Sequence, residues 1–180
     1  MNDDFPILAS VSASPTHPYQ VLDHLAAAGV RATRSTLYRR VDALIEEGLL
    51  RAEDGRGPSG HMRRALSLTG AGKKRLATAV TTVLREEAFD SPRFSLALAR
   101  AGVCEGEAIE GILRQRMSGA ARRLTEEERS LRTEPGSPES WARTTRVRQV
   151  AHLQADIAWL QSVLGRRIVP QTSQPRRAAG

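Results

Sequence analysis

The chain has a single cysteine, Cys104, so no intrachain disulfide can form. The fold must hold without covalent cross-links, which implies a reducing, cytoplasmic setting. Cys104 lies among small and apolar residues and reads as inert packing rather than a redox switch. Aromatic residues are scarce, at 4% of 180 positions. A core made instead from Leu, Val, Ala and Ile suits packed helices better than a large β-sandwich. No stretch reaches the roughly 20 apolar residues of a membrane span. The opening MNDDFPILASVSAS carries acids where an export signal carries Lys or Arg. Chemistry-bearing clusters are missing too. His17, His24, His61 and His152 are scattered, with no H-E-x-x-H pair and no nucleophile elbow. No enzyme, no metal site and no cofactor is expected.

What the chain does have is positive charge in one place. The net charge is +7, and residues 17–85 hold 12 Lys+Arg against 6 Asp+Glu, whereas residues 86–170 hold 13 against 12. A basic first half beside a nearly neutral second half points to a polyanionic partner, with nucleic acid foremost.

Helical periodicity begins at once. Phe5, Ile7, Leu8 and Val11 predict a short helix ended by Ser14-Pro15. Thr16 is expected to cap a second helix, with Pro18 in its first turn, Tyr19, Leu22, Leu25 and Ala26 on one face, and Gly29 as the stop. Thr33 then caps RSTLYRRVDALIEEG, which Gly48 ends. Leu37, Val41, Leu44 and Ile45 share the core face of this third helix. At about 100° per residue, Ser35 and Arg39 point away from that stripe, Thr36 and Tyr38 flank it, and Arg40 lies nearer its edge. A hydroxyl-bearing, cationic outer face at a helix start is what a helix entering a major groove needs.

Leu49-Leu50 and Ala65–Leu68 predict two short strands around a polar tip with Gly55, Gly57, Pro58 and Gly60, carrying Arg51, Arg56, Arg63 and Arg64. GRGPSG lacks Walker spacing and lies between strands, so it is not read as a phosphate loop. The tip residues Arg56, Ser59 and His61 are expected to be mobile without DNA. A fourth helix starts near Gly70, with Lys73, Lys74 and Arg75 early in it and Leu76, Ala77, Val80, Val83 and Leu84 as its stripe. A short helix and a long amphipathic one follow, the latter faced by Ile109, Ile112, Leu113, Arg116 or Met117, Ala120 and Leu124. TEPGSPES at 133–140 reads as a linker. Beyond it Val150, Leu153, Ile157, Leu160 and Leu164 form a two-heptad seam, the pattern of a helix packed along another. Its partner helix is either in a second chain or the 109–124 helix of the same chain.

Helix, helix, capped helix, basic hairpin, helix is the order of a winged helix-turn-helix. Residues 16–76 specifically resemble the PadR-like family of regulators. The likeness rests on Thr33, Arg34, Ser35, Thr36, Leu37 and Tyr38, running through Leu44 to Glu46, Glu47, Gly48, Leu49 and Leu50. It is extended by His17-Pro18-Tyr19, by Arg63-Arg64 with Leu68-Thr69 and Gly72, and by HLQADIAWLQSVLG. The chain departs from the family pattern at Pro18, where glycine is usual, at Arg34 and Arg39, where proline is common, and at Ala65, Leu66 and Ser67.

The resemblance implies a mainly α protein, a winged helix-turn-helix of three helices plus a β-hairpin wing followed by a C-terminal helical dimerisation region. The expected division is 1–85 for DNA binding, 86–168 for dimerisation and effector binding, and a disordered tail at 169–180. The resemblance further implies a homodimer on a palindromic operator, commonly a repressor released by a small-molecule effector. Thr36 and Tyr38 are then phosphate-side contacts, and Arg63 and Arg64 backbone or minor-groove contacts. With Arg34, Ser35, Arg39 and Arg56 they make up the expected DNA-binding set. Val150, Leu153, Ile157, Leu160 and Leu164 are the expected dimerisation set. Trp141 and Trp159 either fill that interface or stack on a flat ligand. The rival reading is a winged helix used for protein interaction without DNA, which needs no basic face; another winged-helix regulator family is a further alternative.

Overall fold

The computed structural model describes residues 4–12, 15–56, 62–133 and 140–165, with backbone alone at 54–56 and 62–64. The chain forms two compact units, Met1–Glu105 and Gly106–Gly180. The tail expected at 169–180 and most of the 133–140 linker lie outside the described residues.

In the first unit, α1 (Phe5–Val11) is buried along its whole length. A helix apolar on every side belongs in the interior, and α1 packs against the second, fourth and fifth helices and the second strand. Its one hydroxyl, Ser10, is satisfied locally by donating to the Pro6 carbonyl at 2.8 Å.

The second helix, α2 (Pro18–Ala27), begins one residue later than Thr16 would cap it. Thr16 is extended instead. Its N–H donates to the Leu66 carbonyl at 3.0 Å and its carbonyl accepts from Leu66 N–H at 2.8 Å, a bridge to the hairpin. Its backbone is thus committed to a sheet, and His17 takes the cap position, with Gln20 Oε1 accepting from His17 N–H at 3.1 Å. Pro18 occupies the first turn as expected, where a missing N–H costs no intrahelical bond.

Helix α3 (Arg34–Glu46) is capped by Thr33, whose hydroxyl accepts from Thr36 N–H at 3.2 Å. Gly29 and Gly48 follow α2 and α3 at φ 71° and 70°. In each, two bonds close the last turn: Val30 N–H to Leu25 O and Gly29 N–H to Ala26 O after α2, and Leu49 N–H to Leu44 O and Gly48 N–H to Ile45 O after α3. This left-handed cap is the conformation glycine adopts at least cost.

Strands β1 (Leu50–Arg56) and β2 (Met62–Leu68) pair antiparallel, from Leu50 opposite Leu68 to Arg56 opposite Met62. Both run longer than the sequence pattern indicates. Leu50 and Leu66 are buried and hold the hairpin to the helices. Helix α4 (Gly70–Glu86) is capped by Thr69 and buries Leu76, Val80, Val83 and Leu84. Helix α5 (Pro92–Ala99) and a 3-10 turn at Ala101–Val103 complete the unit by packing on α4, and α5 also meets α1. Cys104 is half-buried, with its thiol 3.5 Å from the Ala77 carbonyl. Burial pushes its pKa up, which disfavours the reactive thiolate.

The second unit is a helical hairpin of α6 (Gly106–Thr133) and α7 (Trp141–Gly165). Its described interior holds Ile109, Ile112, Leu113, Ala120, Leu153 and Leu160. Two of the five seam residues of α7, Leu153 and Leu160, are therefore buried within the chain, where α7 lies along α6. Val150, Ile157 and Leu164 are half-buried. Arg116 is half-buried as well: desolvation lowers its pKa and the charge of Asp156 opposes that shift.

Candidate nucleic-acid interface

The N-terminal turns of α3 carry the most distinctive surface of the first unit. Leu37, Val41 and Leu44 face the core, so residues rotated away from them face solvent. Arg34, Ser35, Thr36 and Arg39 are exposed, and Tyr38 is 40% exposed despite its ring. The structure thus brings five of the expected DNA-binding residues onto one helix start.

The hydroxyls there are ordered by the cap. Thr33 Oγ1 accepts from Thr36 N–H, donates to Thr36 Oγ1 at 2.9 Å and lies 3.2 Å from Ser35 Oγ. Because Thr36 Oγ1 accepts from Thr33, its own proton is left to donate outward. Fixed donors at the positive end of a helix dipole are suited to a phosphate or a base edge.

The neighbouring arginines are sharply divided in use. Arg39 is exposed and makes no ion pair among the described residues. Arg40 is held by both carboxylate oxygens of Asp4, its Nε donating to Oδ1 and its Nη2 to Oδ2 at 2.6 Å, while Nη1 donates to Glu47 Oε1 at 3.0 Å. Asp4 is only 6% exposed. These hydrogen bonds to Asp4 raise the Arg40 pKa against the opposing effect of burial, with the charges of Asp4 and Glu47 adding to the rise. Arg40 fastens α3 to the start of α1, whereas Arg39 is exposed and makes no ion pair among the described residues.

On the wing, Arg51 pairs with Glu53 at 3.0 Å, both exposed. Backbone register sets Arg63 opposite Gly55, Arg64 opposite Asp54 and Arg56 opposite Met62. The side chains of Arg56, Arg63 and Arg64, and the tip residues Ser59 and His61, lie outside the described residues. Lys73, Lys74 and Arg75 are exposed in the first turns of α4. Arg31, in the turn before α3, is also exposed and was not singled out by the sequence pattern; its one signal is its place two residues before the cap. Among the described residues no three His, Cys, Asp or Glu side chains gather as a metal site, and no helix is long and apolar enough to cross a membrane.

Residues 7–78 match the family model described as the transcriptional regulator PadR-like family. No curated protein matches the chain. Among solved structures, Bacillus subtilis PadR in complex with operator DNA is similar at a TM-score of 0.41 and 16% identity, over 90% of this chain and 96% of that one. The smu.1604c protein of Streptococcus mutans UA159 is similar at 0.41 and 18%, over 92% and 100%. A second Bacillus subtilis PadR structure, in complex with p-coumaric acid, gives 0.36 and 16% over 90% and 96%. The matched segment runs from α1 into α4 and takes in the capped third helix and the whole hairpin. Residues 7–78, folded as a winged helix-turn-helix, are thus similar to the PadR-like family of transcriptional regulators.

Proposed function

We propose that the first unit binds double-stranded DNA by setting the N-terminal turns of α3 into the major groove. The observation that carries this reading is the exposed, cap-ordered set Arg34, Ser35, Thr36, Tyr38 and Arg39 on a family-matched winged helix. In this reading Arg39 contacts a base edge, Thr36 and Tyr38 contact phosphates, and Arg56, Arg63 and Arg64 of the wing contact the backbone or the minor groove.

The second unit joins two copies, placing two recognition helices on a palindromic operator. Trp141 and Val147 of α7 support this, because they are 85% and 51% exposed and too apolar to favour water. Val150, Ile157 and Leu164 would complete the contact around Leu153 and Leu160. Repression in the cytoplasm, relieved by a small-molecule effector, is the regulatory form carried over from the family resemblance.

The test is binding of the full chain to a selected operator and to random duplex across a salt series. Arg39→Ala is expected to cost about 1–3 kcal/mol on the operator and to relax preference at one base position. Equal loss on operator and random duplex would remove Arg39 from base readout. Binding indifferent to salt would remove DNA altogether, since each neutralised phosphate contributes about 0.9 to the salt slope.

A further inference from the structure

A hydroxyl has one proton and two lone pairs, and at Thr33 all of them are in use. The proton goes to Thr36 Oγ1 at 2.9 Å, and one lone pair accepts from Thr36 N–H at 3.2 Å. Ser35 Oγ stands 3.2 Å from the same Thr33 oxygen. Thr33 has no second proton, so this contact is a hydrogen bond in one direction only, with Ser35 donating to the remaining lone pair. The two outer hydroxyls therefore meet their surroundings with opposite polarity. Thr36 has a proton to give, whereas Ser35 has its proton engaged and presents lone pairs.

Ser35 and Arg39 stand one helical turn apart on the side of α3 opposite Leu37, Val41 and Leu44. Ser35 is exposed, and among the described residues its hydroxyl has no hydrogen-bond partner besides Thr33. Phosphate oxygens, guanine O6 and N7 and thymine O4 are all acceptors and bring no proton to Ser35 Oγ. The donors of the major groove are the exocyclic amines, adenine N6 and cytosine N4. A freely turning serine serves either kind of edge. One whose proton is held by a neighbour serves the amines.

We propose that Ser35 is a specificity-determining residue that accepts from the exocyclic amine of adenine or cytosine. On the contacted strand, each half-site then holds A or C, not G or T, where Ser35 meets it. This inference rests on the insertion of α3 into the major groove proposed above. Its neighbours select differently: Arg39, with donors only, matches guanine, and Thr36, with its proton outward, matches a phosphate oxygen. The start of α3 thus reads two different base edges through two residues of one face.

The experiment selects duplexes from a randomised pool with the full chain and with its Ser35→Ala and Thr33→Ala variants. For the wild type, one position in each half-site is expected to hold A or C. Ser35→Ala should lose that preference alone and keep the guanine position. Thr33→Ala releases the Ser35 proton, so G and T should enter at the same position. Base preference, unlike affinity, does not follow the folded fraction, so the lost cap does not obscure this result. The amine is then removed from the selected duplex, by purine in place of adenine or 2-pyrimidinone in place of cytosine. The wild type should bind this duplex about fivefold more weakly, the size of one neutral hydrogen bond. The difference should be absent in Ser35→Ala, which controls for the weakened base pair. Ser35→Ala with wild-type preferences throughout, or with its change at a position holding G or T, would overturn the assignment. So would Thr33→Ala still rejecting G and T, or equal wild-type affinity with and without the amine. In each of these cases DNA binding itself stands. A pool from which the wild type enriches nothing defeats the proposed function, and the role of Ser35 with it.

Discussion

Gly72 of α4 lies so close to Leu49 that a Cβ built on it would stand 2.0 Å from the Leu49 carbonyl oxygen. The same oxygen accepts from Thr69 N–H at 3.1 Å, so α4 starts directly on the backbone that leads into the wing. Gly72→Ala is expected to destabilise by about 1–3 kcal/mol, the usual cost of overpacking. Gly70→Ala, where a Cβ meets nothing within 4 Å, should be neutral or slightly stabilising. Thermal unfolding of the two variants checks the contrast, and equal melting points would show that the junction yields.

The Asp4–Arg40 pair ties the start of α1 to α3. Asp4→Ala removes two of the three carboxylate contacts of a guanidinium that is only 19% exposed and leaves it Glu47 alone. Its loss is expected to cost about 1–3 kcal/mol in urea unfolding, at the low end for a broken pair because solvent reaches Arg40. Arg40→Lys, with Asp4 in place, should lose part of the same stability, since an ammonium lacks the fork that grips both oxygens.

Thr33→Ala removes the acceptor for Thr36 N–H and releases the Thr36 hydroxyl. A loss of about 1 kcal/mol in stability is expected, and a larger proportional loss in operator affinity if the ordered hydroxyls meet phosphates. Affinity that falls only in step with the folded fraction would confine Thr33 to capping.

Two classes of α7 variant should separate. Leu160→Ala empties a fully buried site and should cost about 2–5 kcal/mol. Trp141→Ser with Val147→Ser alters exposed positions, so the fold should persist while sedimentation shifts toward the monomer. A double variant that remains dimeric at micromolar concentration would place the interface elsewhere.

Because burial raises the Cys104 pKa, its thiolate fraction at a given pH is smaller than that of a free thiol. Alkylation by iodoacetamide at pH 8 should be slower than for free cysteine, and should quicken only at higher pH or on unfolding. Labelling as fast as free cysteine in the folded chain would contradict the packing seen here.

Helix α3 was readable because its signals are local: a capping threonine, an apolar stripe at helical spacing and a glycine stop all fall within sixteen residues of sequence. Arg40 at the core edge followed from the same wheel. Its partner did not, since Asp4 is 36 positions away and periodicity says nothing across that distance. Thr16 misled for a similar reason: a threonine before Pro18 has good cap chemistry, and only the folded hairpin shows its backbone taken by Leu66. The heptads of α7 announced a partner helix without saying which. In this chain α6 supplies it for Leu153 and Leu160.

Helix α1 has only seven residues, too few to hold helical shape alone in water. The surfaces that bury it come later in the chain, as far along as Arg100, whose Nε donates to the Ala9 carbonyl at 2.8 Å across 91 positions. During synthesis α1 therefore has nowhere to settle until the residues as far as Arg100 are free of the ribosome. Closing so long a loop is slow, and an apolar heptapeptide waits in the open meanwhile. Helix α3 acquires its Asp4 anchor only when that wait ends, so the surface around Arg39 takes its final form late in folding.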